Sequence, residues 1–115
     1  MDSAGTIELD NVFGALADPT RRDILRRVAR SQLFVGQIAK DYNLTFAAVS
    51  KHLMVLEKAR LIVKSKVGRR QFVRAHPGGL KAAEDYLENY RRMWENRFDR
   101  LDKLLKEEEL RYERN

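Results

Sequence analysis

The side chains best suited to chemistry in this chain are its lysines and arginines, which concentrate in one part of the sequence. Residues 34–76 carry two acidic side chains, Asp41 and Glu57, against nine basic ones, a balance of +7. The full chain of 115 residues carries +6, so the remainder sums to −1. Positive charge localised in this way favours a polyanionic partner, nucleic acid first. The nine are Lys40, Lys51, Lys58, Arg60, Lys64, Lys66, Arg69, Arg70 and Arg74.

Catalytic and metal chemistry have little support in the sequence. The absence of cysteine excludes disulfides, thiolate metal ligands and cysteine nucleophiles. His52 and His76 are the two histidines of the chain, too few and too scattered for a familiar zinc site. Acids near the C-terminus, such as Glu84, Glu88 and Glu95, lie among arginines and are typical of surface pairing. Since there is also no glycine-rich phosphate loop, we predict no enzyme, no catalytic residue, no cofactor and no metal.

Length and composition predict one ordered domain over residues 1–115. Hydrophobic residues make up 43% and charged residues 35% of the chain, which is unlike a disordered protein. No apolar run approaches the length of a membrane span, and the N-terminus lacks the core of a signal peptide. The expectation is a cytoplasmic chain that has no membrane partner.

Two helices joined by a short turn are predicted over residues 34–60. The first has an apolar face at i, i+3, i+4 and i+7, formed by Val35, Ile38, Ala39 and Tyr42. Asn43-Leu44 breaks this pattern, and Thr45 is a good N-cap for the second helix. That helix carries a stripe at i, i+4 and i+7, formed by Val49, Leu53 and Leu56. By itself the segment fits a DNA-binding helix-turn-helix and an ordinary helical hairpin equally well.

A β-hairpin is predicted to follow, over residues 61–76. Val63, Ser65 and Val67 alternate with lysines at period two, which is typical of a strand. Gly68-Arg69-Arg70 is the expected turn, and the chain returns as a strand from Gln71 to Arg74. The hairpin therefore carries basic side chains at its tip, as expected of a wing that contacts a DNA backbone or minor groove.

Two further helices are predicted before this region. A short amphipathic helix starts at Ile7 and stops at Ala17. Asp18 as N-cap and Pro19 at the first helical position then begin another helix. The arginines of that second helix face outward, and a solvated surface is favoured over phosphate contact for them.

The last predicted element is a long helix over residues 79–112. Its apolar residues follow a heptad spacing in which Arg97 interrupts one position. About 30 residues at 1.5 Å each give about 45 Å, more than a domain of this size can cover. A second copy is therefore favoured over a helix folded back on its own core. The predicted dimer interface contains Leu9, Phe13, Leu87, Tyr90, Trp94, Phe98 and Leu101.

The order helix, helix, helix-turn-helix, hairpin, long helix resembles the ArsR-type (ArsR/SmtB) winged helix-turn-helix repressors. The likeness covers about residues 8–108 and is carried by FGALADPTRRDILRRV at 13–28, FVGQIAKDYNLTFAAVSKHLMVLEKARLI at 34–62 and the hairpin VKSKVGRRQFV. It implies a mainly α fold, with a winged helix-turn-helix core at 8–76, a two-stranded wing at 61–76 and a C-terminal dimerisation helix. It also implies double-stranded DNA as the partner of a homodimer.

The resemblance assigns DNA contacts to the start of the second helix and to the wing. Phe46 departs from the family's usual polar residue or proline, and either contacts a thymine methyl group or packs under the turn. His52 either contacts backbone phosphate or is a hydrogen-bonded residue on the helix flank. The recognition-helix set is Thr45, Phe46, Ala47, Ala48, Ser50, Lys51 and His52. The wing set is Arg69 and Arg70, supported by Lys64, Lys66 and Gln71.

The effector is where this chain departs from the family. Many members bind metal through a C-V-C pair, which here is replaced by Phe34 and Gly36 around Val35. The chain resembles the cysteine-free, SdpR-like subset, whose implied function is repression, including autorepression, at an inverted-repeat operator. An unidentified protein or small-molecule inducer stays open. The alternatives are a metal- or ligand-responsive repressor with an atypical site, and a winged-helix adaptor that binds an acidic protein.

Overall fold

The computed structural model describes the backbone of residues 3–113 and the side chains of residues 8–113. Within these bounds the chain forms five helices and three strands. The first compact unit ends at Ala83 and the second begins at Glu84. In chain order the elements are α1 (Ser3–Leu16), α2 (Pro19–Arg30), β1 (Leu33–Phe34), α3 (Val35–Tyr42), α4 (Phe46–Lys58), β2 (Ile62–Val67), β3 (Arg70–Ala75) and α5 (Gly78–Glu113).

Local signals account for most of the helix ends. The Asp18 carboxylate accepts a hydrogen bond from the Arg21 N–H at 2.9 Å, and Pro19 is the first residue of α2. Asn43 ends α3 in the left-handed conformation at φ 52°, which asparagine tolerates better than most residues. The prediction for α1 was too short, because that helix begins at Ser3 rather than Ile7.

The apolar faces predicted for α2, α3 and α4 supply much of the core of the first unit, and Ala39 and Tyr42 of α3 are only partly buried against it. Both helices of the helix-turn-helix contribute, and Val49, Leu53 and Leu56 of α4 are each at most 1% exposed. Ile24, Leu25 and Val28 are the buried residues of α2. The core is completed by Val12, Ala15, Leu33, Val35, Ile38, Ala59, Leu61, Ile62, Val73 and Ala83.

The sheet has three antiparallel strands in the order β1-β3-β2, so the predicted hairpin is present and carries a third strand. Leu33 pairs with Val73 and Phe34 with Phe72. A two-residue strand leaves no periodic pattern in a sequence, and β1 was therefore missed. The turn is also shorter than predicted, since Val67 pairs with Arg70 and leaves Gly68 and Arg69 as its two residues. Gly68 has φ +64°, as the first position of such a turn requires.

The second unit consists of the helical residues that follow Ala83. The prediction of a long C-terminal helix is confirmed, because α5 spans 36 residues, Gly78–Glu113. Arg91 forms ion pairs with Glu88 and Glu95, each at 2.6 Å, along one exposed face. No helix in the described part of the chain has an apolar stretch long enough to cross a membrane.

Candidate nucleic-acid interface

The start of α4 presents small and polar side chains next to a capped helix end. Thr45 is the N-cap, and its hydroxyl oxygen accepts a hydrogen bond from the Ala48 N–H at 3.1 Å. The cap uses a lone pair and leaves the hydroxyl proton free to donate to a phosphate or a base. Ala47 and Ser50 are exposed and Ala48 is half-buried. This surface therefore allows close approach by another molecule.

Two larger side chains stand out from the same end of α4. Phe46 is 62% exposed, so it is not packed beneath the turn, which was one of its two predicted roles. Lys51 is also exposed. Together they add an apolar ring and a cation to the polar surface of the first turns.

His52 faces the N-terminal end of α2. Its Nδ1 lies 3.4 Å from Nη1 of Arg21 and 4.0 Å from Oδ2 of Asp18. Because a guanidinium can only donate, Nδ1 is the acceptor in the hydrogen bond with Arg21. This arrangement matches the helix-flank alternative. A DNA contact by His52 stays a prediction.

Arg21 and Asp18, which no site prediction included, connect the start of α2 with the end of α1 and with His52 of α4. Arg21 donates from Nε to the carbonyl oxygen of Ala15 at 2.9 Å and from Nη2 to that of Gly14 at 3.1 Å. It therefore satisfies carbonyl groups at the end of α1, where no basic residue lies in the last turn. The hydrogen bond from the Arg21 N–H lowers the pKa of the Asp18 carboxyl below its ordinary value.

The wing brings the remaining predicted residues together around the turn between β2 and β3. Lys66 lies opposite Gln71 in the hairpin register, and Val67 lies opposite Arg70. The guanidinium carbon of Arg70 lies 4.7 Å from the centroid of the Phe34 ring, a cation–π contact. Phe34 in turn contacts Phe72, with 4.2 Å between ring centroids. These contacts join β3 of the cationic hairpin to Phe34 of β1.

Lys64 differs from the other predicted wing cations. Its Nζ lies 3.4 Å from Oε1 of Glu57, and its side chain is 24% exposed. Part of its charge is therefore balanced within the protein. Among the side chains that the structure describes, Lys51, Lys66, Arg69 and Arg70 take part in no ion pair.

A groove of about 640 Å³ lies between the wing and the start of α4. It combines aromatic rings, amides, cations and the first turn of α3, and it contains five of the predicted DNA-contact residues. Gln37 was not predicted, because only the fold brings the first turn of α3 beside the hairpin. The groove is lined by Phe34, Val35, Gly36, Gln37, Phe46, Lys66, Arg69, Arg70 and Gln71.

Phe34 and Gly36, which stand where the resemblance implies a metal-binding pair in other members, lie at the start of α3. Phe34 is the N-cap of α3 and supplies no side-chain hydrogen bond to it, and Gly36 lies in the first turn of that helix. Neither residue offers a side-chain donor atom for a metal. Over the described residues, no three side chains of histidine, aspartate or glutamate cluster as a metal site would require.

The predicted dimer residues fall in both compact units. In the first unit, Leu9 is half-buried and Phe13 is 38% exposed. In the second unit the predicted residues are more exposed, at 43% for Tyr90, 53% for Leu87 and Trp94, and 60% for Phe98. Leu101, at 52%, continues this apolar strip along the helix.

Known proteins are similar to this chain in sequence and in fold. Residues 18–64 match the family described as "Bacterial regulatory protein, arsR family". The HTH-type transcriptional regulator Rv2034 of Mycobacterium tuberculosis is 41% identical over 81 residues, 70% of this chain and 76% of that protein. The transcriptional repressor SdpR of Bacillus subtilis is 36% identical over 61 residues, 53% of this chain and 68% of that protein. An ArsR-like transcriptional regulator from Rhodococcus sp. RHA1 superimposes with a TM-score of 0.76 at 29% identity, covering 92% of this chain and 97% of the other.

Proposed function

Because the chain belongs to the ArsR family of bacterial transcriptional regulators, we propose that it is a homodimeric repressor of an inverted-repeat operator. In this proposal α4 enters the major groove, and the turn of the wing lies along the backbone or in the adjacent minor groove. Repression follows because the bound dimer blocks the promoter, which includes the chain's own promoter if the protein is an autorepressor.

One observation carries the proposal, namely four exposed cations on the start of α4 and the wing. Lys51, Lys66, Arg69 and Arg70 have no carboxylate partner among the described side chains. Arginines and lysines of this kind neutralise phosphates and release counterions, which supplies a large share of the affinity of DNA-binding proteins. Lys64 contributes less, because Glu57 balances part of its charge.

Sequence discrimination would come from the first turns of α4. Thr45 and Ser50 present hydroxyl groups that donate to bases or phosphates. Ala47 and Ala48 are small enough for a thymine methyl group to approach, and the exposed ring of Phe46 offers it a second apolar surface. Lys51 pairs with phosphate or with guanine. Phosphate contacts by the wing then set the orientation of this helix on the duplex.

The exposed apolar strip on α5 supports the homodimer. Leu87, Tyr90, Trp94, Phe98 and Leu101 lie on a helix that leaves each of them at least 43% exposed. An exposed strip of five large apolar side chains is typical of a surface that associates with another protein. In the proposed dimer the two recognition helices bind half-sites roughly one helical turn, about 34–36 Å, apart.

Fluorescence anisotropy with a labelled duplex from the chain's own upstream region tests the proposal. We expect binding of one dimer, at least about a thousandfold tighter than to a scrambled duplex of equal length at physiological salt. Transcription in vitro from the same promoter should fall as the protein is added. Equal affinity for both duplexes would argue against the repressor and favour the adaptor alternative.

A further inference from the structure

We infer that the groove between the wing and α4 binds a small aromatic anion, and that this ligand displaces DNA. The second half of this inference rests on the proposed function, whereas the first half concerns the free protein. The groove's volume of about 640 Å³ lies within the roughly 300–1,000 Å³ typical of small-molecule sites.

The preference for an anion follows from the charged residues of the groove. Lys66, Arg69 and Arg70 line it, and no aspartate or glutamate is among the lining residues. The guanidinium carbon of Arg70 lies over the Phe34 ring, 4.7 Å from its centroid. This contact uses none of the N–H donors at the edge of the guanidinium, which can hold a carboxylate by two hydrogen bonds.

The preference for an aromatic ligand follows from the rings that share the groove. Phe46 is 62% exposed, and a planar ring placed against it would remove apolar surface from water. Phe34 is held in place through its contact with Phe72, at 4.2 Å between centroids. A groove of this size that combines cations with aromatic rings suits a planar arene that carries a carboxylate.

The first turn of α3 adds positive electrostatic potential to the groove. Gly36 and Gln37 belong to that turn and line the groove. Phe34 is the N-cap residue and its side chain makes no capping hydrogen bond, so the first N–H groups of the helix receive no acceptor from it. The partial positive charge of a helix N-terminus therefore reinforces the cations of the wing.

Competition with DNA follows from the overlap of the two sites. Phe46, Lys66, Arg69, Arg70 and Gln71 line the groove and are also the proposed contacts to DNA. A ligand that neutralises the arginines and covers Phe46 removes these contacts from the duplex. The ligand would therefore act as an inducer by direct competition, with no change of fold.

Calorimetric titration of the full chain, without DNA, tests the site. The probes are 2-naphthoate, its uncharged analogue 2-naphthamide, and inorganic phosphate. We expect naphthoate to bind at least about tenfold more tightly than either of the other two. Phe46→Ala and Arg70→Gln should each weaken naphthoate binding by about tenfold. Arg74→Gln, an exposed arginine of β3 outside the groove, is the matched control and should change nothing.

Two outcomes would overturn the site. Phosphate binding as tightly as naphthoate would identify a site for phosphate, such as a DNA backbone group. Naphthoate binding that ignores Phe46→Ala and Arg70→Gln would place the ligand elsewhere.

A second arm separates this inference from the proposed function. Naphthoate should release a pre-bound operator duplex at concentrations that saturate the groove. Operator binding that naphthoate leaves unchanged, although calorimetry shows the groove filled, would overturn the competition alone. Failure to bind any operator specifically would overturn the proposed function, while the calorimetric result on the free protein would still decide the site.

Discussion

The carbonyl oxygen of Ala59 lies 2.2 Å from the position that a β-carbon on Gly79 would occupy. The Gly79 N–H donates to the carbonyl oxygen of the neighbouring Arg60 at 2.8 Å, and Gly79 is buried. The end of α4 and the first turn of α5 thus pack backbone against backbone. A side chain of any size at this point forces one of them to move.

Gly79→Ala should therefore lower the free energy of unfolding by about 2–3 kcal/mol, because relief of the clash requires a backbone segment to shift rather than a flexible side chain. Urea denaturation followed by circular dichroism measures the change. The matched control is Gly14→Ala in α1, where an added β-carbon meets nothing within 4 Å. That control should be neutral or more stable by up to about 1 kcal/mol, because alanine is the better helix former. Similar losses in both variants would contradict the close approach.

Asp18 should make stability depend on pH. The Arg21 N–H holds the pKa of this carboxyl below its ordinary value, so its stabilising contribution is complete above that ordinary value. The contribution is lost as the pH falls through the lowered pKa of the folded state. Asp18→Asn keeps a capping oxygen without a titrating group, so it should lose less stability than the parent chain between pH 6 and pH 3. Equal losses in urea unfolding at the two pH values would rule out this role for Asp18.

Removal of charge from α4 or from the wing should weaken operator binding, and the wing change should also reduce the dependence of that binding on salt. Lys51→Ala and the double variant Arg69→Ala/Arg70→Ala should both reduce affinity. The double variant should lower the slope of log affinity against log salt by about 2, because two phosphate contacts are lost. Lys103→Ala/Arg111→Ala removes the same charge from the second unit and serves as its control. Unchanged affinity in Lys51→Ala and the wing variant would refute the site assignment.

A charge in the apolar strip of α5 should dissociate the dimer. Trp94 and Phe98 stack with 5.8 Å between ring centroids and are 53% and 60% exposed. Trp94→Glu should weaken self-association by at least about tenfold, because a large aromatic anchor is replaced by an anion. Sedimentation equilibrium reads out the dissociation constant. Asn96→Glu, on the same helix at an exposed position outside the heptad strip, should leave it unchanged.

The sequence by itself determined the helices and their capped ends. Asp18, Asn43 and Thr45 act within a few residues of themselves, so their side chains predict the boundaries that the structure contains. The stripe of Val49, Leu53 and Leu56 is periodic, and periodicity is visible without knowing what covers it. The same local patterns predicted the hairpin and the long last helix, and the resemblance carried by the stretches 13–28 and 34–62 indicated the family.

The tertiary structure alone decided which side chains meet. Leu33 and Phe34 become a strand only because β3, nearly forty positions later in the chain, offers them partners. His52 faces α2, and Lys64 is balanced by Glu57, because packing sets those neighbours. The groove joins α3, α4 and the wing, which are separate in the sequence. Contacts between distant residues leave no period or cap along the chain, whereas helix ends and apolar faces do.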